Sequence, residues 1–184
     1  IAIDGIPLAD FSDQAFRSDV GLVPQDPFLL ASSVRDNITM GRTLSDEQVE
    51  TAARAAHCHG FVMQLEQGYA TQLGEGGARL SVGQKQLIAI ARALAERPRI
   101  LFLDEATAHV DSETEQVVQR ALSELRGKVT IIAIAHRLST IRDADSIIVL
   151  NHGRVSEQGA HSQLVEREGG IYRRLYALQQ LDDR

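Results

Sequence analysis

Short apolar runs predict the strands of this chain, and longer stretches with apolar residues three and four positions apart predict its helices. Runs that are apolar throughout are typical of strands buried on both faces of a parallel sheet. Three such runs cover residues 20–23, 100–103 and 129–135. Further short strands are predicted over residues 1–3, 146–150 and 154–157. After the first of them, Asp4 and Gly5 are a turn signal.

Helices are predicted between these strands. The predicted ranges are residues 12–17 as a single turn, 45–65, 81–95, 112–125 and a tail with an apolar face at Ile171, Leu175, Leu178 and Leu181. Ser45 with Gln48, and Ser112 with Glu115, have the spacing of capping boxes. Strands that alternate with helices indicate an α/β fold with a mainly parallel sheet. The stretch from about residue 31 to 95 is mostly helical and is predicted to be a subdomain.

Composition narrows the class of protein. The chain has 184 residues, 43% of them hydrophobic, which fits a globular domain with a sizeable core. A net charge of −6 gives no basic footprint for nucleic acid. Cys58 is the one cysteine, so an internal disulfide is excluded. No apolar run approaches the roughly 20 residues that span a bilayer. The chain begins at Ile1 without Met, and we interpret it as a fragment.

Two carboxylates follow the apolar run ILFL. Asp104 and Glu105 stand at the predicted carboxyl end of that strand, where open α/β sheets usually bind ligands. An Asp there can hold Mg²⁺, directly or through water. An adjacent Glu points in a different direction and can orient or deprotonate a water molecule. The alternative is that both acids simply end the strand and meet the loop.

The stretch LSVGQKQ opens the predicted helix over residues 81–95. A helix N-terminus offers unpaired N–H groups and partial positive charge to an anion. Gly83 would let the backbone approach a phosphate closely. The alternative is that Ser81 is an ordinary N-cap.

Two single polar residues also follow apolar runs. His136 ends VTIIAIAH and can donate a hydrogen bond to a phosphate or a water molecule. Gln25 stands between Pro24 and Pro27, which place it on a loop or at a strand end. It can sense a metal or water. Each residue is equally well explained as an ordinary polar group after a strand.

The order of these segments resembles the ATP-binding cassette of ABC transporters, over nearly the whole chain. LSVGQ is similar to the signature motif, ILFLDE to the Walker B strand and AHVD to the D-loop. Gln25 matches the Q-loop glutamine and His136 the switch histidine. SSVRDNI, LSVGQKQ, LDEATA and IAHRLSTI resemble exporter cassettes, especially multidrug-resistance-like half-transporters. The resemblance implies a RecA-like ATPase core over residues 1–30 and 96–184, with a helical subdomain over 31–95 that contains the signature.

The resemblance also implies roles for single residues. Asp104 and Gln25 would hold Mg²⁺, Glu105 would be the general base and His136 would assist catalysis. The residues that would contact ATP or the interface with a second cassette are Gln25, Ser81, Val82, Gly83, Gln84 and Asp111. Gln25 would also link the nucleotide site to a membrane domain.

Three departures from the family pattern change what we expect of ATP binding and hydrolysis by this chain. No G-x-x-x-x-G-K-[ST] loop occurs in the chain, although Gly74 to Gly77 is glycine-rich. In the family, this loop is called Walker A, and it precedes the strand that residues 1–3 resemble. Val82 replaces a glycine of the signature, and His109 replaces a small residue of the D-loop. The chain alone is therefore expected to bind ATP weakly and to hydrolyse it negligibly.

The first hypothesis is the nucleotide-binding domain of an ABC exporter, which couples ATP hydrolysis to export of a drug-like, lipid or peptide substrate. Its partners would be a second cassette, identical or different, in a head-to-tail dimer, and a transmembrane domain upstream. It would lie at the cytoplasmic face of the cell membrane. Two alternatives stay open at this point. One is a non-catalytic remnant that acts as a dimerisation module, and the other is a soluble, non-transport ABC ATPase.

Overall fold

The structure is a computed structural model that describes residues 1–104, 112–135 and 141–182. The chain forms two compact units, Ile1–Ile134 and Ala135–Arg184. Each unit has its own cluster of buried apolar side chains. The predicted division at residues 31 and 95 stays a prediction.

A parallel sheet organises the first unit. Strands β3 (Val20–Val23), β4 (Ile100–Asp104) and β5 (Thr130–Ile134) pair in that order, both pairs parallel. Each corresponds to one of the three wholly apolar runs. The α/β class with a parallel sheet is therefore confirmed.

The two faces of this sheet differ. Leu101, Leu103 and Val23 point into the core and are buried. Leu22, Phe102 and Ile132 lie side by side across the opposite face, in register. Together with Ile134 they are 36% to 62% exposed. A parallel sheet is normally covered on both faces, so this apolar face is unusual.

Helices cover the buried face of the sheet. The helices of the first unit are α1 (Asp13–Asp19), α2 (Val34–Thr39), α3 (Asp46–Ala55), α4 (His59–Gln64), α5 (Val82–Leu94) and α6 (Ser112–Leu125), with 3₁₀ turns at Leu8–Asp10, Gly68–Ala70 and Glu75–Gly77. Helix α5 packs against β3, α2, α3 and α6. A Cβ at Gly21 of β3 would lie 2.8 Å from the carbonyl oxygen of Ala93, so glycine permits the close approach of α5 to the sheet.

The predicted helix over residues 45–65 is wrong, because the structure divides it into α3 and α4. His57 has a φ of 56°, in the left-handed region, which ends α3. The Cys58 amide then donates to the Ala53 carbonyl at 2.9 Å, and the Cys58 side chain turns into the core. The predicted capping box of Ser45 and Gln48 is confirmed.

Short elements complete the first unit. Strands β1 (Ala2–Ile3) and β2 (Ile6–Pro7) form an antiparallel hairpin around Asp4 and Gly5, which confirms the predicted turn. The second strand of that hairpin was not predicted. Helix α2 was also not predicted, although Ser33 and Asp36 form a capping box at its start.

The second unit contains an antiparallel hairpin and two helices. Strand β6 (Ile147–Asn151) pairs with β7 (Arg154–Gly159), and helices α7 (His161–Glu166) and α8 (Ile171–Asp182) follow. Tyr172 of α8 is buried with Ile147, Val149 and Leu164. The predicted apolar face of α8 contributes little to this core, because its three leucines are exposed. In the described parts of the chain, no helix is long and apolar enough to cross a membrane.

The Cys58 thiol is buried, and this burial raises its pKa to about 12. A thiol of this kind reacts only when the surrounding structure opens. We therefore expect a thiol reagent at pH 8 to modify the native chain at least about 100-fold more slowly than the urea-unfolded chain. The control is Cys58→Ala with Glu66→Cys, an exposed position, which should react equally fast in both states. Equal native and unfolded rates for Cys58 would contradict the buried location.

Glu157 caps the start of α8. Its carboxylate accepts from the Ile171 amide at 2.8 Å and the Tyr172 amide at 3.1 Å. These two hydrogen bonds lower the pKa of Glu157. A carboxyl group with a lowered pKa stabilises the fold above its unfolded pKa, which is about 4.3, and loses that effect as the pH falls through its folded pKa.

Glu157→Gln should therefore lower the thermal midpoint at pH 7 and have a smaller effect near pH 3. The exposed Glu168→Gln is the control, for which we expect no such pH-dependent difference. Scanning calorimetry at both pH values measures the effect. A difference between Glu157→Gln and the unmodified chain that does not change with pH would refute the capping role.

Candidate functional site

The carboxyl ends of the parallel strands meet at one edge of the sheet. Asp104 is the last residue of β4, where it is exposed and paired with Ile134, the last residue of β5. The neighbouring strand β3 ends at Val23, and Gln25 follows two residues later in an exposed bend. Asp104 and Gln25 therefore both lie at the carboxyl ends of adjacent strands, at the edge where open α/β sheets usually bind ligands. Their roles remain predictions.

Three of the predicted site residues lie outside the described residues. They are Glu105, Asp111 and His136. Glu105 directly follows Asp104 in the chain.

Oxygen donors at this edge fit a hard cation. Asp104 offers a carboxylate and Gln25 an amide oxygen, and both are exposed. Mg²⁺ prefers such ligands and keeps several waters and substrate phosphates as its other ligands. A cage built only from protein is therefore not required. Within residues 1–104, 112–135 and 141–182, no group of three or more His, Cys, Asp or Glu residues could hold a metal ion.

The signature segment forms the start of α5. The Ser81 hydroxyl accepts from the Gln84 amide at 3.1 Å, and the Gln84 side chain accepts from the Ser81 amide at 3.1 Å. Ser81 is therefore an N-cap, which is the alternative interpretation given for it above. It is also exposed to solvent. Val82 is 51% exposed at the first helical position. The helix start thus presents its partial positive charge toward solvent.

Gly83 has a packing role that the sequence did not reveal. It is buried, and a Cβ there would lie 2.1 Å from Cγ2 of Thr114 on α6. The expectation was that this glycine lets the backbone approach a phosphate. That expectation stays a prediction, and the structure gives a further reason for the glycine, since α5 and α6 could not approach so closely with a larger residue.

The loop that carries Gln25 is held by two residues that sequence reasoning missed. Asn37 of α2 and Arg92 of α5 donate hydrogen bonds to its backbone carbonyls. Sequence spacing offered no signal, because Arg92 lies 64 residues after Phe28, one of its acceptors.

Comparison with known proteins now identifies the family. The profile of the ABC transporter family matches residues 1–108. A putative ABC transporter ATP-binding protein of Streptococcus pneumoniae, exp8, is 47% identical over 97% of this chain and 30% of its own length. A putative multidrug export ATP-binding/permease protein of Staphylococcus aureus is 46% identical over 98% of this chain and 31% of its own length.

A solved structure agrees with these relatives. It is described as a bacterial Atm1-family ABC exporter with ATP bound, and the TM-score is 0.88 at 42% identity. The match covers 97% of this chain and 32% of the exporter chain. This chain therefore spans about a third of the length of these proteins.

The chain belongs to the ABC transporter family, as a nucleotide-binding domain of the exporter type. The resemblance inferred from LSVGQ, ILFLDE and the other segments is thereby confirmed.

Gly83→Ala should destabilise the first unit by about 1–3 kcal/mol, because the new methyl group would overlap Thr114. Gly60→Ala in α4 is the matched control. A Cβ there meets nothing within 4 Å, so the change should be neutral or stabilise by up to about 1 kcal/mol. Urea unfolding of the three chains measures both effects. Equal stability of Gly83→Ala and the unmodified chain would show that α5 and α6 are not so closely packed.

Proposed function

We propose that this domain binds and hydrolyses ATP at the carboxyl edge of its parallel sheet and that hydrolysis is coupled to export across a membrane. The observation that carries the proposal is that Asp104 ends β4 and Gln25 follows the end of the adjacent strand β3, with Glu105 next after Asp104 in the chain. The family membership and the relatives' export-related names support the coupling to transport.

Each candidate residue has a distinct role in the proposed reaction. The Asp104 carboxylate and the Gln25 amide oxygen would hold Mg²⁺, which when bound would supply positive charge to the phosphates. Glu105 accepts a proton from the attacking water, a step in which a positioned base typically contributes about 10²–10⁴-fold. His136 donates a hydrogen bond to the terminal phosphate.

A second cassette completes the site. In the proposed head-to-tail dimer, Ser81, Val82, Gly83 and Gln84 of one domain contact the ATP held by the other. The exposed, positively polarised start of α5 supports this role, because backbone N–H groups there can bind an anion. Asp111 lies in the segment that meets the partner domain.

The phosphate cradle belongs to another segment of the longer polypeptide in this proposal. The chain spans about a third of its relatives' length, which leaves room for a Walker A loop and for membrane helices. The exposed apolar face formed by Leu22, Phe102, Ile132 and Ile134 supports a further covering segment, because parallel sheets are rarely open on one face. The domain would then lie at the cytoplasmic face of a membrane, and the substrate would be drug-like, a lipid or a peptide.

ATP hydrolysis by the longest natural polypeptide that contains this chain tests the proposal. Glu105→Gln should lower kcat by about 10²–10⁴-fold with little loss of folded protein. Glu66→Gln, at an exposed position in the same unit, is the control and should keep full activity. Residues 1–184 alone should show no hydrolysis above background.

Two results would contradict this account. One is full activity of Glu105→Gln. The other is hydrolysis by residues 1–184 that Glu105→Gln abolishes, since the cradle would then not be needed from elsewhere.

A further inference from the structure

The loop between β3 and α2 carries Gln25 and is held by polar contacts as well as by burial. Residues 27–30 of this loop have no regular secondary structure. Leu29 is buried, but the neighbouring Phe28 is 64% exposed. Burial of Leu29 therefore anchors one point of the loop. The backbone on either side is held by hydrogen bonds to side chains of α2 and α5.

Asn37 holds the loop from the side of α2. Its Oδ1 accepts from the Leu30 amide at 2.7 Å. Its Nδ2 donates to the carbonyls of Leu30 at 3.1 Å and Ser33 at 3.0 Å. Asn37 is completely buried, so losing these partners would leave polar atoms without water.

Arg92 holds the same loop from the side of α5. Its Nη1 donates to the Phe28 carbonyl at 2.8 Å and its Nε to the Asn37 carbonyl at 2.7 Å. Its Nη2 also lies 3.4 Å from Oδ1 of Asn37. We call Asn37 and Arg92 together the Asn37–Arg92 clamp.

Arg92 lies partly buried beside a second cation, Arg42, and its guanidinium is held by hydrogen bonds to carbonyl groups. Burial, and then the neighbouring Arg42, lowers the pKa of Arg92. Arg42 in turn donates to the Arg92 carbonyl at 3.0 Å and pairs with Glu96 at 3.0 Å. Burying a cation beside another cation is unfavourable unless its hydrogen bonds are satisfied. The guanidinium is placed where its planar fork reaches two separate carbonyls, a geometry that lysine cannot reproduce.

The clamp therefore connects two parts of the proposed site. Arg92 lies in the last turn of α5, the helix that begins at the signature residue Ser81. Its acceptor Phe28 lies three residues after Gln25. A helix is stiff along its length, so a fixed Phe28–Arg92 contact fixes the Gln25 loop relative to the signature end of α5.

We propose that Arg92 and Asn37 are positioning residues for ATP hydrolysis, which hold the Gln25 loop at a set place relative to the signature helix. This inference rests on the proposed function for its catalytic consequence, whereas the clamp itself does not. The other interpretation is that the clamp only stabilises the packing of α2 on α5. That packing already has apolar contacts, because Val34, Ile38 and Ile88 are completely buried in the same core.

The experiment uses the longest natural polypeptide that contains this chain. Arg92→Lys keeps the positive charge but loses the fork. Asn37→Asp keeps an acceptor but loses both donated hydrogen bonds. Arg35→Lys is the matched control, because Arg35 also lies on α2 and bonds Asp46 and the Leu44 carbonyl, away from the Gln25 loop.

Hydrogen exchange tests the clamp without any activity measurement. In Arg92→Lys and Asn37→Asp, the non-proline amides of residues 26–33 should exchange about tenfold faster, roughly the size expected from losing one hydrogen bond. The most direct reporter is the Ser32 amide, which donates to the Leu30 carbonyl that Asn37 also binds. The Leu30 amide is less affected in Asn37→Asp, because that variant keeps its acceptor. In both clamp variants, exchange elsewhere in the first unit should stay unchanged. Arg35→Lys should leave exchange over residues 26–33 unchanged, because the contacts of Arg35 lie at Leu44 and Asp46. Unchanged exchange over residues 26–33 in both clamp variants would overturn the proposal.

Steady-state kinetics test the catalytic consequence. Arg92→Lys and Asn37→Asp should each lower kcat about tenfold while the KM for ATP changes less than about twofold. The double variant should lose no more than the larger single loss, because both residues act on one loop. A fall in kcat that only follows the fraction of unfolded protein, or losses that multiply in the double variant, would overturn the positioning role.

The two proposals fail in different ways. If Glu105→Gln keeps full activity, the proposed function fails, and hydrogen exchange still decides whether the clamp holds the loop. If Glu105→Gln abolishes activity while both clamp variants keep the kcat of the unmodified protein, only the positioning role fails.

Discussion

Parallel pairing of β3, β4 and β5 is the constraint on which the candidate site depends. In a parallel sheet all carboxyl ends lie at one edge, so residues far apart in the chain arrive together. Gln25 and Asp104 are 79 positions apart in the sequence (104 − 25), yet Asp104 ends one strand and Gln25 follows the end of the strand beside it. The in-register pairs Val23 with Leu103 and Asp104 with Ile134 determine where each chain segment leaves the sheet.

Helix α5 is the second element that organises the first unit. The helix can approach β3 closely because residue 21 is glycine, and it can approach α6 closely because residue 83 is glycine. Its first turn presents Ser81 and Val82 to solvent, and its last turn holds the Gln25 loop through Arg92. One helix therefore carries the signature segment at its start and contacts both the sheet and the loop after β3. Substitutions along it should alter site geometry as well as stability.

Sequence patterns predicted the parts of the structure that local physics determines. Apolar runs located β3, β4 and β5, and the spacing of Ser45 and Gln48 located the start of α3. The left-handed conformation of His57 was missed because no local turn signal marks it, and it precedes Cys58, which is buried in the core. The clamp and the contact of Gly83 with Thr114 depend on tertiary packing, which no local pattern encodes. The motif order still located the candidate site, because it resembles one family over nearly the whole chain.

Metal binding at the sheet edge tests the central claim most directly. Mn²⁺ can replace Mg²⁺ and be followed by its paramagnetic signal, with a non-hydrolysable ATP analogue and the longest polypeptide that contains this chain. The account predicts that Asp104→Asn weakens Mn²⁺ binding in the presence of the analogue by about tenfold or more, as expected for loss of a charged ligand. The exposed Asp13→Asn of α1 should bind Mn²⁺ normally. Equal affinity of Asp104→Asn and the unmodified protein would contradict a metal–nucleotide site at this edge.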